Sequence, residues 1–349
     1  MKKIVSFIII IMLAIRCESV APLQSLMTIP PVSANEKQAA LSWLTKWFDA
    51  WELMNKELLL LPHDDAPEML FFDKENVYTT SKISSPNGQA IEGPALLGES
   101  LSWRIDKHNG TMTLPGGQQV PVGLMSFAAP AKDGKGKKFF VMAAPSFWKE
   151  AGIKSDELGL DNLLVGVFLH EFAHTRQMEG IGALVEQIEK NNKFEKELTD
   201  NIVQDYFKND SIYVQRFRSE TDKFYEAAFA TDAKTTISLT KEAIVLYKKR
   251  QADYFKQDMS ILKQLDDIFL SMEGLGQFMA VAWLLNPKGG NMNFINAVNG
   301  FRRGKSQWSQ DEGLALFLLL NKIAKPNWEK DVFGRSAVYV IDLLEKTIN

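Results

Sequence analysis

The sequence predicts an α+β protein with a small, mostly antiparallel sheet followed by a predominantly helical carboxy-terminal part. Three observations predict it. Between residues 67 and 145, short apolar runs alternate with turn-forming residues, as strands do. From about residue 147 onward, apolar residues recur at three- and four-residue steps, as on helices. The 349 residues are 46% hydrophobic and 24% charged, enough for a globular chain with a sizeable core. One domain over 35–349 is expected, with the sheet at about 62–146 and the helices at about 147–349.

The chain opens with Met1-Lys2-Lys3 and an apolar run from Ile4 to Ile15, ended by Arg16. That run is too short to span a bilayer and has the form of a secretory signal. Residues 1–34 are therefore read as an export segment, with Val32-Ser33-Ala34 a small-x-small cleavage candidate. The expected location is outside the cytoplasm: periplasmic, secreted or lipid-anchored. Cys17 is the single cysteine. It is either a lipid-attachment residue or discarded with the signal; Arg16 before it departs from the small residue that lipidation prefers. With no other cysteine, the body has no disulfide, Cys-ligated zinc or thiol nucleophile. A net charge of −3 gives no reason to expect a nucleic-acid partner.

Residues 35–61 predict an amphipathic helix, with Leu41, Leu44, Trp47, Phe48, Trp51 and Met54 on its core face and Pro62 stopping it. Strands are expected at Met69–Phe72, Val77–Thr80, Leu101–Ile105, Thr111–Leu114, Val122–Ala128 and Lys138–Ala144, the last two joined through the solvated turn Lys132–Gly136. A helical turn follows at Pro145. Asp161 is a candidate N-cap for a helix ending near Gly180. Further helices are expected at about 182–208, 212–230, 235–257, 259–285, 309–323 and 335–347, with Pro326 between the last two.

The apolar helix from Leu163 to Gln177 carries His170-Glu171-Phe172-Ala173-His174. Residues four apart share a helix face, so His170 and His174 can hold one metal ion between them. Glu171 projects beside them, where a carboxylate can take a proton from metal-activated water. Only four histidines exist, the others being His63 and His108, so imidazoles for a third ligand are scarce.

This His-Glu-x-x-His helix resembles the zincin metallopeptidases. Gln177 and Gly180 stand where the metzincin branch places a glycine and a third histidine. The resemblance is therefore to the gluzincins, in which a Glu on a second helix completes the site. Glu273, in the apolar Phe269–Ala280 stretch and followed by Gly274, is the favoured third ligand, with Glu220 and Glu226 as rivals. Its distance from His174 exceeds the common gluzincin spacing, so the intervening helices read as an insertion.

The resemblance implies Zn²⁺ as cofactor, a peptide or protein substrate, and hydrolysis with Glu171 as general base. Oxyanion stabilisation is open among Tyr339, Arg335, Tyr225 and His108. Gln177 and Asp222 are candidates to orient an imidazole, with surface or packing roles as the alternative. The strand Phe139–Ala144 is either a substrate-binding sheet edge or an interior strand. A non-catalytic envelope or binding protein of the same fold, or a zinc amidase acting on a non-peptide substrate, are the other functions considered.

Overall fold

The computed structural model describes residues 41–62, 64–130, 138–302, 306–324, 328–334, 336 and 338–348. The expected export segment 1–34 with Cys17, and also His63, the Lys132–Gly136 stretch, Pro326 and Arg335, lie outside the described residues.

Helix α1, Ser42–Met54, forms as its aromatic spacing predicts and buries Leu44, Trp47, Phe48, Trp51 and Met54. A π-turn over Asn55–Leu59 extends it to Leu60, which ends it in a left-handed conformation. Trp47 stacks on Phe168 with centroids 5.4 Å apart, and Trp51 meets Phe172 edge-on at 4.8 Å. The stripe is thus core, and it packs against the helix that carries the His-Glu-x-x-His motif.

Among the described residues eight strands follow: β1 Glu68–Phe72, β2 Asn76–Thr79, β3 Gln89–Ala90, β4 Arg104–Lys107, β5 Thr111–Thr113, β6 Gln119–Pro121, β7 Ser126–Pro130 and β8 Lys138–Ala143. Six of them make one sheet in the order β3-β4-β2-β1-β8-β7, and β5 with β6 forms a separate hairpin. All pairs are antiparallel except β1 with β8, which is parallel. The sheet is therefore mostly antiparallel, as expected.

Two strands start later than the sequence suggested. Trp103 is buried, and its indole donates to Pro94 O at 3.0 Å, so pairing begins only at Arg104. In the second case, pairing of β7 begins at Ser126, opposite Met142. The strand Phe139–Ala144 is not a sheet edge. Strand β8 lies between β1 and β7, with Phe139 to Ala143 buried, as suits a strand that is apolar on both faces. The sheet ends at β7 on that side, and the motif helix packs against β7 and β8.

The helices are α2 Pro145–Glu150, α3 Leu160–Gln177, α4 Ala183–Asn191, α5 Ile202–Phe207, α6 Ser211–Phe229, α7 Ala233–Tyr254, α8 Ile261–Leu285, α9 Phe294–Phe301, α10 Trp308–Ile323, α11 Glu329–Val332 and α12 Val340–Ile348. Asp161 is not the N-cap of α3. Gly159 occupies that place, and Asp161 lies in the first turn, where its charge still suits the helix dipole. A π-turn over Met178–Gly182 links α3 to α4.

The helix expected over 182–208 is broken in two. Asn192 Nδ2 donates to Ile188 O at 2.8 Å and closes α4, and an irregular strap follows to Asn201. The last helix starts only at Val340, whose N–H is taken by Ser271 Oγ at 2.9 Å. The main core joins the sheet to α1, α3, α8 and α10, while a second apolar cluster gathers Ile181, Val185, Ile202, Phe207, Tyr213 and Phe269. The segment Gln257–Leu285, which includes α8, is long and apolar enough to cross a membrane by length and composition, and 89% of its apolar window is buried inside the protein.

Candidate metal centre

The centre forms where α3 crosses α8. Helix α3 is buried almost all round between Leu163 and Thr175, since α1, the sheet and α8 surround it. His170 and His174 therefore project into the interior. The crossing is close because glycines line it. A Cβ on Gly276 would lie 2.6 Å from His170 Nδ1, so only a glycine lets the imidazole lie against α8. Two residues back, Gly274 meets Gly313 of α10, where a Cβ on either would fall within 2.6 Å of the facing backbone. These two approaches put Glu273 opposite the imidazoles.

His170 Nε2 and His174 Nε2 are 3.2 Å apart. Glu273 Oε2 lies 3.2 Å from His170 Nε2, and its Oε1 lies 3.5 Å from His174 Nε2. One ligand atom from each of the three residues falls within 4.8 Å of the others. Glu273 thus takes the third place, as favoured from the sequence, and the three residues can hold a metal ion.

The rivals are committed elsewhere. Glu220 is buried and accepts from Arg250 Nε at 2.5 Å. Glu226 is exposed and pairs with Lys223 at 2.5 Å.

The protonation states suit a metal. Burial lowers the His174 pKa, with Glu273 opposing and His170 assisting, so the imidazole is held neutral and able to coordinate. Gln177 Oε1 lies 2.8 Å from His174 Nδ1. An amide oxygen only accepts, so Nδ1 carries the proton and Nε2 keeps its lone pair. Gln177 is therefore an orienting partner. Burial works against ionised Glu273, but the two histidines and a hydrogen bond from Gln310 outweigh it and hold its pKa below the ordinary value.

Glu171 is fully buried, and neither carboxylate oxygen has a hydrogen-bond partner among the described residues. Burial, then the charges of Glu273 and Asp200, push its pKa well above the usual carboxylate range. Glu273 Oε1 is likewise unpartnered. Burying ionisable oxygens without a donor is unfavourable, and a cation with its water would relieve it. On this donor set the residues fit a bound metal.

The other candidates lie elsewhere. Tyr225 donates to Asp311 O at 2.9 Å, beneath the Arg302 guanidinium. Tyr339 accepts from Gln264 at 3.3 Å. His108 Nε2 lies 3.0 Å from Asp73 O, at the far end of the sheet. The Asp222 side chain is 77% exposed and does not orient an imidazole.

Sequence reasoning missed Gln310 and Asp200. Gln310 Nε2 donates to Glu273 Oε2 at 3.1 Å. Asp200, at the end of the irregular strap, is buried near Glu171 and Glu273 and has its own pKa raised by burial and by Glu273. No local pattern marks either, because each meets the motif only through the fold. Comparison of the chain with protein-family models, curated proteins and solved structures gave no match.

Proposed function

We propose that the protein is an exported zinc-dependent hydrolase, acting on peptide bonds. The observation that carries this is fully buried Glu171, its two oxygens unpartnered beside a His-His-Glu ligand set. A metal held only for structure has no need of such a carboxylate. Zinc fits the spacing: for tetrahedral ligands at about 2.0–2.1 Å, donor atoms stand roughly 3.3 Å apart, close to the 3.2 Å between the two Nε2 atoms and the 3.5 Å from His174 Nε2 to Glu273 Oε1. A zinc ion there would supply Lewis acidity to water and to the substrate carbonyl.

The chain's own residues supply the rest. Glu171 accepts the proton of the attacking water and delivers it to the leaving amine, a role suited to a carboxylate of raised pKa. Gln177 keeps His174 in the coordinating tautomer. The apolar run near the amino terminus supports export, and cell fractionation tests it.

One observation favours a second reading. His170, Glu171, His174 and Glu273 are at most 2% exposed, so the centre is closed to a peptide in this conformation. A closed site suits a structural metal in a binding protein. Glu171→Gln separates the two. The enzyme reading expects full metal content with peptide hydrolysis lowered by roughly 10²–10⁴-fold. Wild-type protein that binds zinc yet cleaves nothing in a broad peptide mixture or a set of small amides would favour the structural metal.

A further inference from the structure

We infer that Gln310 is a positioning residue for the metal centre: it ties down one oxygen of Glu273 and leaves the other as the single coordinating atom. The inference rests on the metal-centre reading above.

Gln310 Nε2 donates to Glu273 Oε2 at 3.1 Å. Gln277 Nε2, one turn beyond Glu273 on α8, donates to Gln310 Oε1 at 2.5 Å. All three side chains are at most 2% exposed. Hydrogen-bond chemistry fixes the direction of this chain. A carboxylate only accepts, so the Gln310 group facing it must be the NH₂. The Gln310 oxygen then faces Gln277, whose NH₂ must face back. Turning the Gln310 amide over would set oxygen against oxygen at Glu273 and NH₂ against NH₂ at Gln277. Gln277 thus prevents Gln310 from flipping, and Gln310 prevents Glu273 from rotating.

The two Glu273 oxygens end in different states. Oε2 is held by Gln310 and lies 3.2 Å from His170 Nε2, while Oε1 has no hydrogen-bond partner among the described residues and lies 3.5 Å from His174 Nε2. A carboxylate free to rotate can give both oxygens to one ion and fill a coordination position. With Oε2 engaged, Glu273 offers Oε1 alone, and a position stays open for water and substrate. Gln177 acts in parallel on His174, so two amides orient two of the three ligands.

The test is titration of metal-free full-length protein with Co²⁺, read by visible absorption, and with Zn²⁺, read by competition with a chromophoric chelator. Wild type is expected to show the spectrum of a tetrahedral centre. Gln310→Leu keeps the volume and removes the donor; it should weaken Zn²⁺ binding roughly ten- to hundredfold and shift the Co²⁺ spectrum toward higher coordination. Gln277→Leu, four residues beyond Glu273 on α8, should move both readouts the same way by less. The double variant should match Gln310→Leu, because Gln277 acts only through Gln310. Circular dichroism reports folding, and Gln277→Leu carries the test if Gln310→Leu does not fold. Normal metal binding by wild type with unchanged affinity and spectrum in the variants overturns the positioning role alone. A wild type that binds neither ion overturns the metal centre and this inference with it.

Discussion

At the scale of single residues, the centre depends on what is small as much as on what coordinates. Gly276 is the clearest case, since a Cβ there would press 2.6 Å from His170 Nδ1 against a ring with no room to retreat. Gly276→Ala should displace the imidazole and weaken zinc binding by at least tenfold, while Gly274 and Gly313 still hold the neighbouring crossing. Isothermal titration checks this, and wild-type affinity would show that the ring has freedom the packing denies it. Glu171 is the complementary case. It contributes no ligand atom, and its unpartnered buried oxygens are unfavourable for stability. Glu171→Gln should therefore melt at or above the wild-type temperature even as hydrolysis is lost, a contrast that one thermal scan with and without zinc resolves.

At the scale of elements, a buried ionic network ties together the helices behind the centre. Arg250 of α7 is fully buried and bonds Glu220 of α6 at 2.5 Å and Asp266 of α8 at 3.0 Å, with Glu312 of α10 at 3.8 Å. One guanidinium faces three carboxylates. Burial raises Glu220, Arg250 opposes it, Asp266 adds to it, and the pKa is pushed up to about 7 from 4.5. Glu312 shifts the same way, through burial and then Glu220.

The sign follows from linkage. A folded pKa above the unfolded one means that the native state binds more protons between pH 4.5 and about 7. Stability therefore falls as pH rises through that window, by up to about 1.4 kcal/mol per pH unit for one proton. Glu220→Gln should lower stability overall, because it breaks a buried pair, yet flatten the decline. Urea unfolding at pH 5, 6 and 7 measures it; an equal slope in wild type and variant would mean that Glu220 does not take up the proton.

At the scale of the whole molecule, the question is access. The centre lies between the sheet-bearing half and the helical half, and the irregular strap Asn192–Asn201 brings Asp200 close to Glu171 and Glu273. The strap lacks regular helix hydrogen bonding, so it can move at a smaller loss than a helix. If the protein hydrolyses peptides, the strap is the element expected to open. Hydrogen exchange should then be faster over 192–201 than over α3 and α8, and a zinc-directed peptide hydroxamate should slow it. Protection equal to that of α3 would favour the structural-metal reading.

Much of this was legible in the chain. The aromatic spacing of α1, the two motif histidines and a lone Glu in an apolar helix reflect local periodicity and the cost of burying an unpaired carboxylate, both written in neighbouring residues. So was the succession of sheet and helices. The strand Phe139–Ala144 was legible as a strand, but its place inside the sheet was not, since strand order depends on which segments pair. Glu220 was a rival third ligand in the sequence, and only the fold sets it against Arg250, thirty residues on. Gln310, Asp200 and the Gly274–Gly313 contact carry no local signature, because each acquires meaning only from a residue distant in sequence. The sequence by itself determined the two imidazoles on one helix face and the carboxylate of Glu171 beside them. Tertiary structure alone decided which carboxylate faces the imidazoles, which amide holds it, and that the site is closed, because these depend on how helices cross rather than on how they are spelled.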